Sequence, residues 1–389
     1  MEQPTPVVAV PDVPRHNAEV TRLWGAYGQG TNERVPTTIA FDEQFLLPLQ
    51  GRSFREYYTS SEVQLDVQLR NQEWIRTHVV HDAPLGLPDE WWVAPAGWMH
   101  ENEFYGAQVQ LQDNDYAWGL PIEMLKGKLI QHLRGLDAEE RIRAGVFYRH
   151  WEELRALAEG REHLGRPVRV VSPPVNSTHG IFTKAAEIRG LERICIDLAD
   201  DPAFVHDLLA AVTDLTIERT RCWHRLAGSE TVFPVASGWG ICDDSLTLLS
   251  ERHYAEFVLP QHERLYSAMT TGPRSIHLCG HVQHLFVTLH RDLGITTFDG
   301  PGTQVDLVRM VRDIDAPITI QAQVSHAFLG RGPSEIEAAV RHVLQDEVKR
   351  RARMTLIGYA SRGATTDNLR FFYECAVRDG ALARGAGLP

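Results

Sequence analysis

From about residue 168 onward, short β-rich runs alternate with amphipathic helical stretches, and this alternation limits the fold more than any other feature. The runs are "VRVVS" (168–172), "TVFPVAS" (231–237), "RSIHLC" (274–279), "ITTFD" (295–299), "ITIQAQ" (318–323) and "MTLIGY" (354–359), each followed by a helical pattern. Strands separated by helices return in the same direction, so the pattern predicts an α/β fold on a parallel sheet, open or closed.

The helices carry their own signals. Ser334 and Glu337 have capping-box spacing in "SEIEAAVRHVL", and Ile336, Ala339, Val340, Val343 and Leu344 share one face. Asp137 and Glu140 open a helical stretch in the same way, while Pro202 and Gly228 bracket another. The first 15 residues hold four prolines, which predicts a flexible arm over residues 1–20. Residues 21–389 then read as one domain, since no Ser/Gly-rich linker divides them. Trp74, Trp91, Trp92, Trp98 and Trp118 cluster early in the chain, and "WWVAPAGWMHENEFYG" reads as an aromatic-rich insertion. Those rings either pack over the core or wall an apolar ligand pocket.

Charge narrows the range of functions. With 51 acidic against 39 basic residues the net charge is -12, which disfavours nucleic acid or an anionic membrane and favours a small-molecule partner. Five widely spaced cysteines do not form a disulfide framework, so a reducing cytoplasm is expected. No run approaches the roughly 18 apolar residues of a membrane span, and no export signal opens the chain. "GAYGQGTNE" (25–33) lacks the Lys-Ser/Thr ending of a phosphate loop and reads as a turn.

The chemistry gathers at strand ends. In "SIHLCG", Ile276 and Leu278 share one face of a strand, and Ser275, His277 and Cys279 share the other. An imidazole and a thiolate spaced i, i+2 can both reach one zinc ion at roughly 2.0–2.3 Å, provided that a third ligand comes from elsewhere. His281 and His284 follow Gly280 and read as solvated or capping residues. In "ITIQAQVSHAF" the inward positions are Thr319, Gln321 and Gln323, with His326 just past the strand; Asp299 closes another strand. Such an interior suits a polar ligand or an ion.

Taken together, these segments resemble the uroporphyrinogen decarboxylase superfamily, and within it the cobalamin-dependent methyltransferase branch of the methylcobalamin:coenzyme M type. The resemblance is carried by "GIFTKAAEIRGLERICIDLADDPAFVHDLLAAVTD" (180–214), "DDSLTLLSERHYAEFVLPQHERL" (243–265), "IHLCG" (276–280), "TTFDGPGTQVDLVRMVRDIDAPITIQAQV" (296–324) and "TTDNL" (365–369). It implies a single (β/α)8 TIM barrel, here with an N-terminal aromatic-rich extension and a site at the C-terminal mouth. It also implies that His277 and Cys279 are zinc ligands, with a late cysteine as the third. The zinc would bind a substrate thiol and make it a nucleophile toward a methyl group on a corrinoid.

This chain departs from the pattern in three ways. Near Gly358 and Tyr359, where the late cysteine falls, there is neither Cys nor His; Ala322 to His326 replaces the usual Gly-Asn-Val-Asp-Pro, so His326 is expected to replace the missing ligand, to cap the next turn or to contact substrate directly. The Arg-rich signature of the haem-pathway decarboxylases is absent as well. Asp243 and Asp244 match an acidic stretch of the branch and are read as proton-handling residues, as substrate contacts or as a cap of the next helix. Gln321, Gln323, His179 and Asp299 are the expected substrate contacts. No corrinoid-binding Asp-x-His-x-x-Gly pattern occurs, so cobalamin would arrive on a partner protein or free. The competing readings are a decarboxylase or lyase of the same superfamily, and a barrel that has lost catalysis and serves as a binding subunit.

Overall fold

The computed structural model describes residues 12–97, 99–175 and 177–382. Seven strands form its main sheet: β1 (Thr37–Phe41), β2 (Thr178–His179), β3 (Trp239–Cys242), β4 (Arg274–His277), β5 (Ile295–Gly302), β6 (Ile318–Val324) and β7 (Ala352–Ala360). All pair in parallel, in the order β1-β7-β6-β5-β4-β3-β2. The expected alternation holds on β6, where Ile318, Ile320, Ala322 and Val324 are buried while Thr319, Gln321 and Gln323 remain partly open. Behind the sheet, Ile276, Phe298, Ile320 and Leu356 are fully buried in one core with helix residues Phe286, Met310, Val340 and Phe372.

The sheet is curled. Phe41, His179, Cys242, His277, Asp299, Gln321 and Tyr359 come from seven different strands and all line one cavity of about 830 Å³. The eighth strand of a closed barrel does not occur among the described residues, and the two sheet edges are instead met by side chains. On β1, the Thr37 N–H donates to an Asp82 carboxylate oxygen at 2.6 Å, and the Ile39 N–H to His81 Nδ1 at 2.8 Å. On β2, Glu101 Oε1 accepts from the His179 N–H at 3.4 Å. Side chains thus satisfy edge donors that an eighth strand would otherwise take.

Several boundaries differ from those predicted. Residues 168–172 lie outside the main sheet: Arg166–Val170 pairs with Trp91–Val93 and Glu162–His163 in a separate three-stranded sheet. Residues 231–237 form no strand, because Pro234 interrupts the run and its ring nitrogen has no hydrogen to donate; the barrel strand starts at Trp239. Part of the predicted arm, residues 1–11, lies outside the described residues. The rest is ordered helix, since Asp12 caps Val13–Gln29 and a proline sits in its first turn.

The helix over 333–343 forms with the predicted buried face, but its cap is Gly332, and the Ser334 hydroxyl bonds Glu335 rather than a backbone N–H. The aromatic-rich segment is not one insertion. It supplies the strand Trp91–Val93 and the helix His100–Phe104. Trp74 packs against the main core and Trp91 in a smaller one, Trp92 and Trp118 are exposed, and Trp98 lies outside the described residues. Among the described residues, no helix is long and apolar enough to cross a membrane.

Candidate metal centre

One transverse row of the sheet collects most of the polar chemistry. Register pairs His179 with Cys242, Cys242 with His277, His277 with Asp299, Asp299 with Gln321, and Gln321 with Thr355. Residues in register on parallel strands project to the same side, so six polar side chains line up at one level. His179, Cys242 and His277 sit at the C-terminal ends of their strands, where barrel sites are built.

Near the middle of the row, Cys242 Sγ, an Asp244 carboxylate oxygen and a His277 ring nitrogen lie within 4.8 Å of one another. His277 Nδ1 donates to Asp299 Oδ2 at 2.7 Å, which directs Nε2 toward Asp244 Oδ1, 3.8 Å away. Burial alone would lower the pKa of this imidazole. Hydrogen bonds to Asp299 and Cys279, with the charges of Asp299 and Asp244, outweigh it and raise the pKa to about 10. Burial, and then Asp244, push the Cys242 thiol far up, and its S–H donates to Asp244 Oδ2 at 3.2 Å. The surroundings therefore favour a positive charge among these three groups.

The donor set fits a borderline cation such as zinc. It offers one sulfur, one carboxylate and one imidazole, with a carboxylate behind the imidazole as metal-binding histidines usually have. Cys279, expected as a ligand, is exposed and borders this trio: its side chain bonds His277, and its N–H donates to Asp244 Oδ1 at 2.9 Å and so positions the carboxylate. His326 opens the short helix His326–Leu329 on the exposed surface, and the fold does not bring it into the group. Ser325, not His326, occupies the cap position of that helix.

The two adjacent aspartates have different surroundings. Asp243 is fully buried and accepts from the Phe182 and Thr183 N–H groups, the Thr183 hydroxyl and His262 Nε2. It caps the helix Ile181–Arg189, which precedes it by about 60 residues, and not the helix after it. A Cβ on Gly180 would lie 2.1 Å from Asp243, so glycine alone leaves room for this cap. Asp244, half-exposed, faces Cys242 and His277.

His179 lines the cavity, and its Nδ1 bonds Glu101 Oε2 at 2.9 Å. Glu101 is buried with Arg219 at 2.5 Å and Lys184 at 3.5 Å. Burial works to raise its pKa, but Arg219, His179 and Lys184 together hold it well below the usual carboxylate range. Gln321 and Asp299 also line the cavity, whereas Gln323, one row further along β6, is not among its lining residues.

Cys242, Glu101 and Tyr359 were not predicted as site residues. Glu101 is 78 residues from His179 and carried no local signal. Cys242 did carry one: Cys-x-Asp at 242–244 repeats the i, i+2 spacing of His-x-Cys.

Comparison with known proteins agrees with this architecture. The model of the family "Uroporphyrinogen decarboxylase (URO-D)" matches residues 142–356, more than half of the chain, and the chain belongs to that family. A search of curated proteins finds no match. Among solved structures, a methyltransferase from Methanosarcina mazei aligns over 92% of this chain and 98% of its own, with TM-score 0.60 and 14% identity. A B12-independent methionine synthase from Shewanella sp. W3-18-1, in complex with selenomethionine, aligns over 95% and 87% with TM-score 0.35 and 8% identity.

Proposed function

We propose that this chain is a zinc-dependent methyltransferase that moves a methyl group between a small substrate, a thiol or a methyl donor, and a corrinoid held by a partner protein or free in solution. The observation that carries this reading is the Cys242, Asp244 and His277 group at the strand ends, with Asp299 behind His277. The family membership and the fold shared with a methyltransferase support it.

Cys242 as thiolate, Asp244 and His277 Nε2 would hold the zinc. When bound, the ion acts as a Lewis acid that lowers the pKa of a coordinated thiol and raises the share of nucleophilic thiolate. The protein's part is positioning. Asp299 keeps the Nδ1 proton of His277 and so fixes its tautomer, and the Cys279 N–H orients Asp244. Gln321 and the Glu101-bound His179 offer polar contacts to a substrate in the cavity. In this reading Asp243 maintains the scaffold, and Cys279 and His326 are not ligands.

The test is methyl transfer from methylcobalamin to a panel of small thiols by the zinc-loaded protein, followed by the loss of methyl-corrinoid absorption. Saturable transfer that His277→Ala and Cys242→Ala each reduce by about 10³-fold or more is expected. No transfer, together with release of CO₂ from small carboxylic acids that is indifferent to both variants, would favour the decarboxylase or lyase reading instead.

A further inference from the structure

The cavity that holds the Cys242 row also reaches the edge strand β1. Glu43, two residues past that strand, lines it together with Cys242, His277 and Asp299. In the sheet order β7, β6 and β5 stand between β1 and β4, so Glu43 approaches the cavity from a different wall than His277. Its side chain is partly open, unlike the fully buried Asp243.

Charge is matched at one wall and not at the other. His277 bonds Asp299, and His179 bonds Glu101. Glu43 has no such partner: among the described residues it enters no ion pair, and no lysine or arginine lines the cavity. The charged neighbour that acts on it is Asp42, which is also negative and caps the helix Glu43–Leu49 by accepting from the Phe45 N–H at 3.1 Å. Burial raises the Glu43 pKa with help from Asp42, opposed only in part by hydrogen bonds from its own N–H and the Tyr116 hydroxyl. The carboxylate lacks a countercharge, and a cation beside it supplies one. Neighbouring amides are already committed: Gln68 Nε2 donates to the Ala94 carbonyl at 2.8 Å while its Oε1 accepts from the Ala94 N–H at 2.9 Å, and Gln72 Nε2 donates to the Trp92 carbonyl at 2.9 Å. Leu46, Ile75 and Pro95 add an apolar stretch of wall.

We propose that Glu43 selects the charge of the substrate: the molecule that reacts at the Cys242 row carries a positively charged amine at its far end, and the Glu43 carboxylate receives that amine. The inference rests on the reading of this cavity as the reaction site. An anionic substrate, such as a sulfonate or a carboxylate, meets a like charge there with no lysine or arginine to offset it, and is rejected.

The probes are hexylammonium, 1-hexanol and hexanoate, which share one chain length and carry no thiol, titrated by calorimetry into the full chain without added zinc. Saturable binding of hexylammonium at one site is expected, about tenfold or more tighter than that of hexanol, with hexanoate the weakest. Glu43→Gln keeps the shape of the side chain and removes its charge, so it should abolish the preference for the ammonium while hexanol binds as before. A merely structural role for Glu43 would weaken all three probes alike. Cys242→Ala should leave the preference unchanged, so failure of the metal centre and failure of this assignment are told apart. Should Glu43→Gln not fold, as judged by circular dichroism, Glu43→Ala carries the same expectation. No saturable binding of hexylammonium, no preference for it over hexanol, a preference that survives the loss of the Glu43 charge, or one that is lost in Cys242→Ala would overturn the proposal.

Discussion

His277 Nδ1 and Asp299 Oδ2 lie 2.7 Å apart across two strands paired in register, so the backbone ladder itself holds the carboxylate behind the imidazole. This pairing orients the ring nitrogen that faces Asp244 and Cys242. Asp299→Asn should therefore leave the fold intact but lower zinc affinity by roughly 10–100-fold. Competition with a chromophoric chelator measures this, and an unchanged affinity would remove Asp299 from the account.

The neighbouring aspartates should part company on substitution. Asp243→Ala leaves His262 and three donors around residues 182–183 without their buried acceptor, and should cost about 3–5 kcal/mol in urea unfolding. Asp244→Ala, at a half-exposed position, should change stability by less than about 1 kcal/mol while weakening zinc binding. Equal effects on stability would contradict the division of roles.

Legibility of the sequence followed the locality of each signal. Four barrel strands, over 274–277, 295–302, 318–324 and 352–360, stood out because each lies within a short run of strand-like pattern that is followed by a helix. The strand Trp239–Cys242 was placed too early in the chain, at "TVFPVAS", because that run looks β-rich while "WGIC" is short and holds a glycine. Cys242 was missed with it. Thr178–His179 is two residues long, too short for any period to show, and its partner Glu101 is brought near only by tertiary packing. Asp243 had the composition of a cap, but the helix it caps begins some 60 residues before it, a pairing that local pattern does not reveal.

Acid should destabilise this fold above the usual carboxylate range. Burial lowers the His81 pKa to about 4, only partly offset by Asp82, and its Nδ1 accepts the Ile39 N–H. The folded pKa lies below the unfolded value of about 6.5, so the unfolded chain takes up the proton first as pH falls. Stability is full above pH ~6.5 and declines down to pH ~4, by about 3 kcal/mol from this group. Glu101, also held low, extends the loss below its unfolded pKa of about 4.5. In urea titrations at pH 7, 6 and 5, His81→Asn should flatten the slope, since its Oδ1 can accept the Ile39 N–H without titrating.

The resemblance and the geometry assign the sulfur ligand differently, and substitution decides between them. Cys242→Ser should weaken zinc binding far more than Cys279→Ser, and His326→Ala should leave it within about twofold. The reverse order for the two cysteines would return Cys279 to the ligand set.

The most direct measurement is zinc per chain by elemental analysis, after loading and exhaustive desalting, in the unaltered protein and in Cys242→Ala. About one equivalent is expected in the first and almost none in the second, with both chains folded. Full retention of zinc in Cys242→Ala, or no retained zinc in the unaltered chain, would contradict it.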